Sequence, residues 1–454
     1  MLFSSIEFIF VFLPLSLGSY FLFPKRQRNA VLLFWSLIFY AWGEPKYVFL
    51  MAATILSDYL FGILIERYPR QAKPLLAFAV FLNLLSLWVF KYLSPTLSLL
   101  GAEIGSIALP VGISFYTFQS LSYVIDVYMG QRAQKSLVDF GAYVTMFPQL
   151  VAGPIVRYGE VSAQLSHREE SFQKAARGVL RFVAGLSKKL ILANGAGAVW
   201  TQFSSLPGDA LGTLGAWVGI IAFAFQIYFD FSGYSDMAIG LGQILGFDFP
   251  ENFNYPYAAS SLGDFWKRWH ISLTDWFREY LYIPLGGNRR GKSRTLLNML
   301  AVWLFTGAWH GASLGFILWG LYYFVLLACE RFIWGDFIKR LPRPLKSAYS
   351  LFFILIGWVF FALPDKGSFL PYLKKMFSLT PPAGNEIYHV VRSIPFLILT
   401  ALGATPFPKE AWARLARGKE KRIFALSLCS IFAFVLCLAS LVGSSYNPFL
   451  YFRF

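Results

Sequence analysis

Histidine is scarce in this chain of 454 residues, with four copies, and two of them stand where chemistry is possible. His310, in Trp309-His310-Gly311, falls inside the apolar run from Leu296 to Cys329. An ionisable side chain at membrane depth is costly and by default marks a functional site. His270 lies upstream in Asp264-Phe265-Trp266-Lys267-Arg268-Trp269-His270, among charge and tryptophan. A neutral imidazole, with an ordinary pKa of about 6.5, takes a proton from an attacking hydroxyl at neutral pH. That chemistry suits acyl transfer by general base catalysis. Attack by the imidazole itself, through a transient acyl-histidine, is the other available route.

Each residue also has a plainer reading. Taken as one helix, 263–283 puts Trp266, His270, Leu273, Phe277 and Leu281 on a single apolar stripe. Asp264 and Arg268 fall on a second face with Asp275 and Glu279, where ion pairs form. From this periodicity alone a buried, hydrogen-bonded structural His270 is favoured over a functional one. Around His310, Gly307, Gly311 and Gly315 recur every four residues, so backbones approach closely and leave room for a substrate chain. The competing role there is a hydrogen bond to a neighbouring helix. Asp230 and Asp236, in the polar stretch Tyr228 to Asp236, suit orienting a histidine or pairing with Arg268 or Lys267. Structural ion pairing fits them equally. Asp58 and Asp126 read as lone acids explained by packing or loop ends. No His or carboxylate pair near His310 has metal-ligand spacing, and a zinc site needs three or four ligands, so no metal is expected. Cys329, Cys429 and Cys437 all sit in apolar runs and read as small buried hydrophobes, not as a nucleophile or a disulfide framework.

The elements that must hold these residues are membrane helices. The chain is 57% hydrophobic and 14% charged, against about 25% charged in soluble domains. The fold class is all-α and polytopic. Apolar segments near 6–23, 30–43, 47–65, 75–93, 107–127, 176–200, 214–230, 233–246, 295–309, 311–329, 348–363, 393–407 and 423–443 predict about eleven transmembrane helices, some short enough to be re-entrant or interfacial. If 214–230 runs inward and the basic loop 289–294 is cytoplasmic, 233–246 is no simple crossing, and its Gly and polar residues suggest non-helical backbone. The net charge of +16 is concentrated between apolar segments, at Lys25 to Arg28, Arg67 to Lys73, Arg289 to Arg294, Lys339 to Lys346 and Arg414 to Arg422. Such clusters mark cytoplasmic loops and speak against nucleic acid as a partner. The first stretch, Ile6 to Phe23, has no basic residue before it and reads as a retained helix rather than a signal peptide. Alternation then puts the N-terminus, the loop 364–388 and Ser444 to Phe454 outside. No internal repeat is visible, which weakens a transporter reading.

The residues that carry the chemistry also carry a resemblance. They are Leu109 to Phe118, Phe147 to Ile155, Tyr228 to Asp236 and Asn252-Phe253-Asn254-Tyr255-Pro256-Tyr257, followed by Asp264 to His270. The pattern continues through Trp276 to Asn288, Trp309-His310-Gly311 and the aromatic terminus Asn447 to Phe454. This pattern resembles the membrane-bound O-acyltransferase superfamily and, within it, the bacterial alginate O-acetyltransferase branch. A related D-alanyl transferase of teichoic acid modification shares both histidine motifs.

The resemblance implies a single domain over 1–454, with helices in a ring around a central funnel that opens to both membrane faces. It implies that His310 is the catalytic histidine and His270 a second functional one. Asp264, Trp266, Lys267, Arg268, Trp269, Trp309, Asp230 and Asp236 are the neighbours expected on the substrate path. The branch moves an acetyl group from a cytoplasmic thioester, here expected to be acetyl-CoA acting as substrate with no bound cofactor. The donor phosphates would meet Arg289 to Arg294, or Lys267 and Arg268. A partner of the SGNH, serine-hydrolase-like type would then place the group on an extracytoplasmic polysaccharide such as alginate. The expected location is the inner (cytoplasmic) membrane, with the lipid bilayer as the other partner. D-alanyl or other acyl transfer to teichoic acid or peptidoglycan from a carrier protein is the alternative within the chemistry. A transporter or flippase, or a scaffold subunit that needs no His310, are the alternatives outside it.

Overall fold

The computed structural model describes residues 1–102, 105, 107–208, 210–382, 384–415, 419–443 and 449–450. Among these the chain is helical throughout, and its extended pairing is confined to one antiparallel bridge between Phe253 and Trp269. Seven helices among the described residues are long and apolar enough to cross a membrane: Val48–Arg67, Pro69–Lys91, Thr213–Ile244, Leu314–Arg340, Arg343–Ala362, Glu386–Gly403 and Phe424–Gly443. With 18 residues in the shortest and a rise of about 1.5 Å per residue, each approaches or exceeds the roughly 30 Å hydrocarbon core. The protein is a multi-pass membrane protein.

Several of the other apolar segments form shorter helices. The one expected from 107 starts only at Ile113, because Pro110 and the left-handed Gly112 (φ +76°) precede it. The segment near 176–200 passes from helix Phe172–Ser187 through a π-helical turn, Lys188–Ala193, into Asn194–Ser204.

The described residues form two compact units. The first comprises 1–183 and 234–251. There Val48–Arg67, Ala72–Lys91 and Ile113–Tyr128 meet around Asp58, which is fully buried and accepts from Asn83 Nδ2 at 2.8 Å and from the Ser120 hydroxyl. Asp58 is therefore bound by packing partners, as a lone acid in apolar sequence must be. The second unit comprises 184–233 and 252–454. Its core is aromatic, with Trp319, Tyr323, Trp358 and Phe361 buried together.

Two sequence expectations are corrected. Residues 214–230 and 233–246 are one continuous helix, Thr213–Ile244, with no unwound backbone between them. Its aspartates, Asp230 and Asp236, are paired by Lys189 and Arg181 from other segments, so their charges do not require the backbone to open. Gly233 matters at this point: a Cβ on it would meet the Gly185 carbonyl oxygen at 2.8 Å. The second correction concerns 263–283, which is broken. Leu262–Trp266 and Ile271–Phe277 are separate helices, followed by a π-helical turn, Arg278–Tyr282. Between the first two, the chain turns to pair with 252–254: Asn254 N donates to Arg268 O at 2.9 Å and Ile271 N to Asn252 O at 3.0 Å. The C-terminal aromatic motif lies outside the described residues, apart from Phe449 and Leu450.

Candidate active site

The second unit contains a cavity of about 240 Å³ lined by both His270 and His310. Residues far apart in sequence reach it by different local rules.

His310 is the last residue of helix Gly291–His310 and is 5% exposed. A connection of Gly311 to Ser313 returns the chain into Leu314–Cys329, so the two helices run antiparallel. They touch along a glycine seam. A Cβ on Gly307 would meet the Phe316 carbonyl oxygen at 2.5 Å, and one on Gly320 the Trp303 carbonyl oxygen at 2.4 Å. A Cβ on Gly311 would lie 2.6 Å from the Phe316 ring, which fills that space, and the Pro364 backbone fills the space at Gly315. These glycines therefore serve helix contact and do not themselves make room for substrate. The room is on another face, where Met299, Val302, Trp303, Thr306 and His310 line the cavity. The imidazole is held edge-on by Trp309, Trp319 and Phe361, with ring centroids 5.0, 5.1 and 5.0 Å away.

His270 is fixed by hydrogen bonding and backbone. It is 2% exposed, and its Nδ1 lies 3.1 Å from Asn252 Oδ1. The same oxygen accepts from the Ser272 backbone N–H at 3.3 Å and hydroxyl at 2.9 Å. A backbone N–H only donates, so the shared atom is an acceptor and His270 Nδ1 carries the proton. Nε2 is then the basic nitrogen of the neutral ring. Burial pushes the ring down to about 3, so it is neutral at neutral pH. His270 itself adopts the left-handed conformation (φ +44°), a strained choice for a residue with a Cβ. Phe231 packs edge-on against it at 4.7 Å, and Trp309 stands 5.9 Å away, between the two histidines in the ring sequence.

The other expected positions divide. Trp266 and Trp269 line the cavity, and Trp309 touches both imidazoles. Lys267 is exposed. Arg268 donates to Asp264 at 2.8 Å and to the Asn254 carbonyl at 3.3 Å, so the ion pair expected four residues apart forms. Burial opposes the charge on Asp264, but the bonds from Arg268 and Ser260 outweigh it and hold the carboxyl below its usual range. Arg268 faces a different cleft, with Arg343 and Lys409. Asp230 pairs with Lys189, both nearly fully buried, and accepts from Leu450 N at 2.6 Å. Asp236 belongs to the first unit and pairs with Arg181 at 2.9 Å. The described partners of Asp230 are therefore Lys189 and Leu450 N, not a histidine, Lys267 or Arg268.

Several cavity and supporting residues carry no obvious sequence signal: Phe231, Phe361, Arg278, Thr306 and Arg331. Asn252 does carry one, a polar side chain in a short motif between apolar stretches.

Comparison with known proteins places the chain in context. The family model described as MBOAT, membrane-bound O-acyltransferase family, matches residues 130–363, a stretch that holds both histidines. The chain is 43% identical to a probable alginate O-acetylase of Azotobacter vinelandii, over 80% of this chain and 75% of that one. It is 37% identical to a probable alginate O-acetylase of Pseudomonas putida over the full length of both. It is 34% identical to a peptidoglycan O-acetyltransferase of Helicobacter pylori, over 84% of this chain and 80% of the other.

Proposed function

The chain belongs to the membrane-bound O-acyltransferase family and is an O-acyltransferase, and we propose that it passes an acetyl group from cytoplasmic acetyl-CoA toward an extracytoplasmic polysaccharide. The observation that supports this reading is the single cavity onto which both histidines open. In the proposed reaction the acceptor hydroxyl enters from the outer side and gives its proton to His310 as its oxygen attacks the thioester carbonyl. The carbon–sulfur bond breaks, and the thiolate leaves with a proton. His270, neutral and held by Asn252, presents Nε2 as an acceptor that positions the donor or its carbonyl partner. Trp266, Trp269 and Trp303 form the apolar wall that keeps water from the thioester.

The acceptor we favour is an alginate-type polysaccharide, reached through an extracytoplasmic partner of the SGNH, serine-hydrolase-like type. The similarity to a peptidoglycan O-acetyltransferase favours peptidoglycan as the second candidate. The protein would sit in the inner membrane with its basic loops in the cytoplasm. Purified protein given radiolabelled acetyl-CoA should release coenzyme A and retain or transfer label in a way that needs His310. Turnover unchanged in His310→Ala would overturn the assignment. Membrane sidedness has its own test. On a background without the native cysteines, Ser368→Cys should react with an impermeant maleimide in intact cells and Ser293→Cys only after permeabilisation. External labelling at 293 would invert the proposed donor route.

A further inference from the structure

Arg268 and Trp269 are consecutive, yet Trp269 lines the histidine cavity while Arg268 lines a second cleft, of about 420 Å³. This cleft is built within the second unit. Tyr255 reaches it from a left-handed backbone (φ +46°), a strained choice for a residue with a Cβ. The turn is held by Asn254 N, which donates to Arg268 O at 2.9 Å, and by Ala258 N, which donates to Tyr255 O at 3.1 Å.

The rest of the wall comes from the ends of two membrane spans. Arg343 is the first residue of Arg343–Ala362, and Pro406 and Lys409 follow closely on Glu386–Gly403. Two spans end at one cleft, so it lies at the level where hydrocarbon gives way to lipid headgroups. Leu345, Leu402 and Phe407, beside these lining residues in sequence, are apolar and exposed. Side chains of that kind suit acyl chains.

The charges are not balanced. Arg268 is already engaged by Asp264 and by the Asn254 carbonyl. Arg343 and Lys409 are exposed, and among the described residues neither forms an ion pair. Glu410 also lines the cleft. Two cations against one carboxylate leave a single positive charge, which suits a phosphodiester.

We propose that this cleft holds the headgroup of an anionic phospholipid of the phosphatidylglycerol type. Its phosphodiester lies between Arg343 and Lys409, and its glycerol hydroxyls donate to Glu410. A zwitterionic headgroup would leave the positive charge uncompensated, and a free nucleotide would leave Leu345, Leu402 and Phe407 uncovered. Basic pockets between spanning helices take lipid headgroups for these reasons. The site is separate from the acyl-transfer cavity and does not depend on the route assigned to the donor.

The test is native mass spectrometry of the full-length protein, delipidated in detergent and titrated with phosphatidylglycerol, phosphatidylethanolamine and phosphatidylcholine of matched chains. Each basic residue near a membrane surface contributes about a factor of five, so the protein should bind phosphatidylglycerol about 10–30-fold tighter than phosphatidylcholine. The double variant Arg343→Gln/Lys409→Gln should bind the two equally. Arg343→Lys/Lys409→Arg keeps both charges and should keep the preference. Both positions are exposed, so each double variant should unfold at the wild-type temperature.

Equal binding of phosphatidylglycerol and phosphatidylcholine by the wild type would overturn the proposal, and so would a preference that survives the glutamine pair. Loss of preference in the charge-keeping pair as well would assign the effect to disturbed structure and remove the cations from the site. Phosphatidylethanolamine bound as tightly as phosphatidylglycerol would make the headgroup zwitterionic, against the proposal. ADP serves as the soluble phosphate. If ADP displaces phosphatidylglycerol at comparable concentration, the cleft is a nucleotide site and the lipid assignment falls. Lipid retained against ADP supports it.

Discussion

The two histidines share a cavity but are held by opposite means. His310 ends a regular helix and is caged by rings, with its height set by a glycine seam and no conformational strain at its own backbone. His270 sits where helical structure is interrupted, in a left-handed conformation, and is oriented by a hydrogen bond to Asn252. The described contacts of the first are aromatic rings, and those of the second include a hydrogen bond through Nδ1. A ring held through Nδ1 has its tautomer chosen in advance.

The largest effect that tests this contrast is at His310. His310→Ala should express and insert normally and lose about 10²–10⁴-fold in acyl transfer, as expected for a general base. Acetylation of the polymer in cells and label release in vitro both read it. Next comes Asn252, which should act through His270. Asn252→Leu removes the acceptor for Nδ1, and activity should fall about 10–100-fold, by analogy with groups that orient a functional histidine. The loss should be smaller in His270→Gln than in His270→Ala, since the amide keeps a hydrogen-bonding atom. Equal, complete loss in both, with intact protein, would give His270 a direct proton-transfer role.

A third test addresses packing. Gly320→Ala drives a Cβ into the Trp303 carbonyl oxygen, 2.4 Å away as the helices stand. Backbone cannot yield as a flexible side chain does, so a loss of about 1–3 kcal/mol is expected. Thermal unfolding in detergent measures it, and activity should fall with His310 displaced. A fourth test is the pH dependence of stability. The buried His270 ring, lowered to about 3 from 6.5, binds a proton more readily when unfolded. Its contribution is therefore present above about pH 6.5 and lost as pH falls toward 3. His270→Gln should flatten the decline in melting temperature between about pH 6.5 and 4. An unchanged slope would mean that other groups govern it.

Much of the site is legible in the linear chain, because its strongest signals are chemical oddities against an apolar background. A histidine in an apolar run and a tryptophan-rich, charged motif need no structure to stand out. The Asp264–Arg268 pair also follows from spacing. What the linear chain conceals is anything decided by a distant strand of chain. Segment 252–254 captures the backbone of 268–271 and breaks the helix that periodicity draws through His270. Its stripe partners Trp266, Leu273 and Phe277 still meet at the cavity, although by a different path. The helix Thr213–Ile244 shows the converse. Its aspartates look like reasons for the backbone to unwind, but Lys189 and Arg181 arrive from other segments to neutralise them. The role of the glycines near His310 is half legible: close approach is correct, and the room expected there belongs to Phe316.

The glycine seam makes chain length part of what positions His310. Gly307 is pinned against the facing helix, and His310 follows three positions later. In a helix of 3.6 residues per turn, adding or removing one residue between them swings the imidazole by about 100° and shifts it by about 1.5 Å. It would then point at a neighbouring ring or into lipid, with every side chain of the cavity still present. Insertions are usually judged by whether a loop can absorb them. With the role proposed for His310, a deletion that spares every side chain of the cavity should still silence the enzyme, because the spacing is counted from a contact and not from the sequence around it.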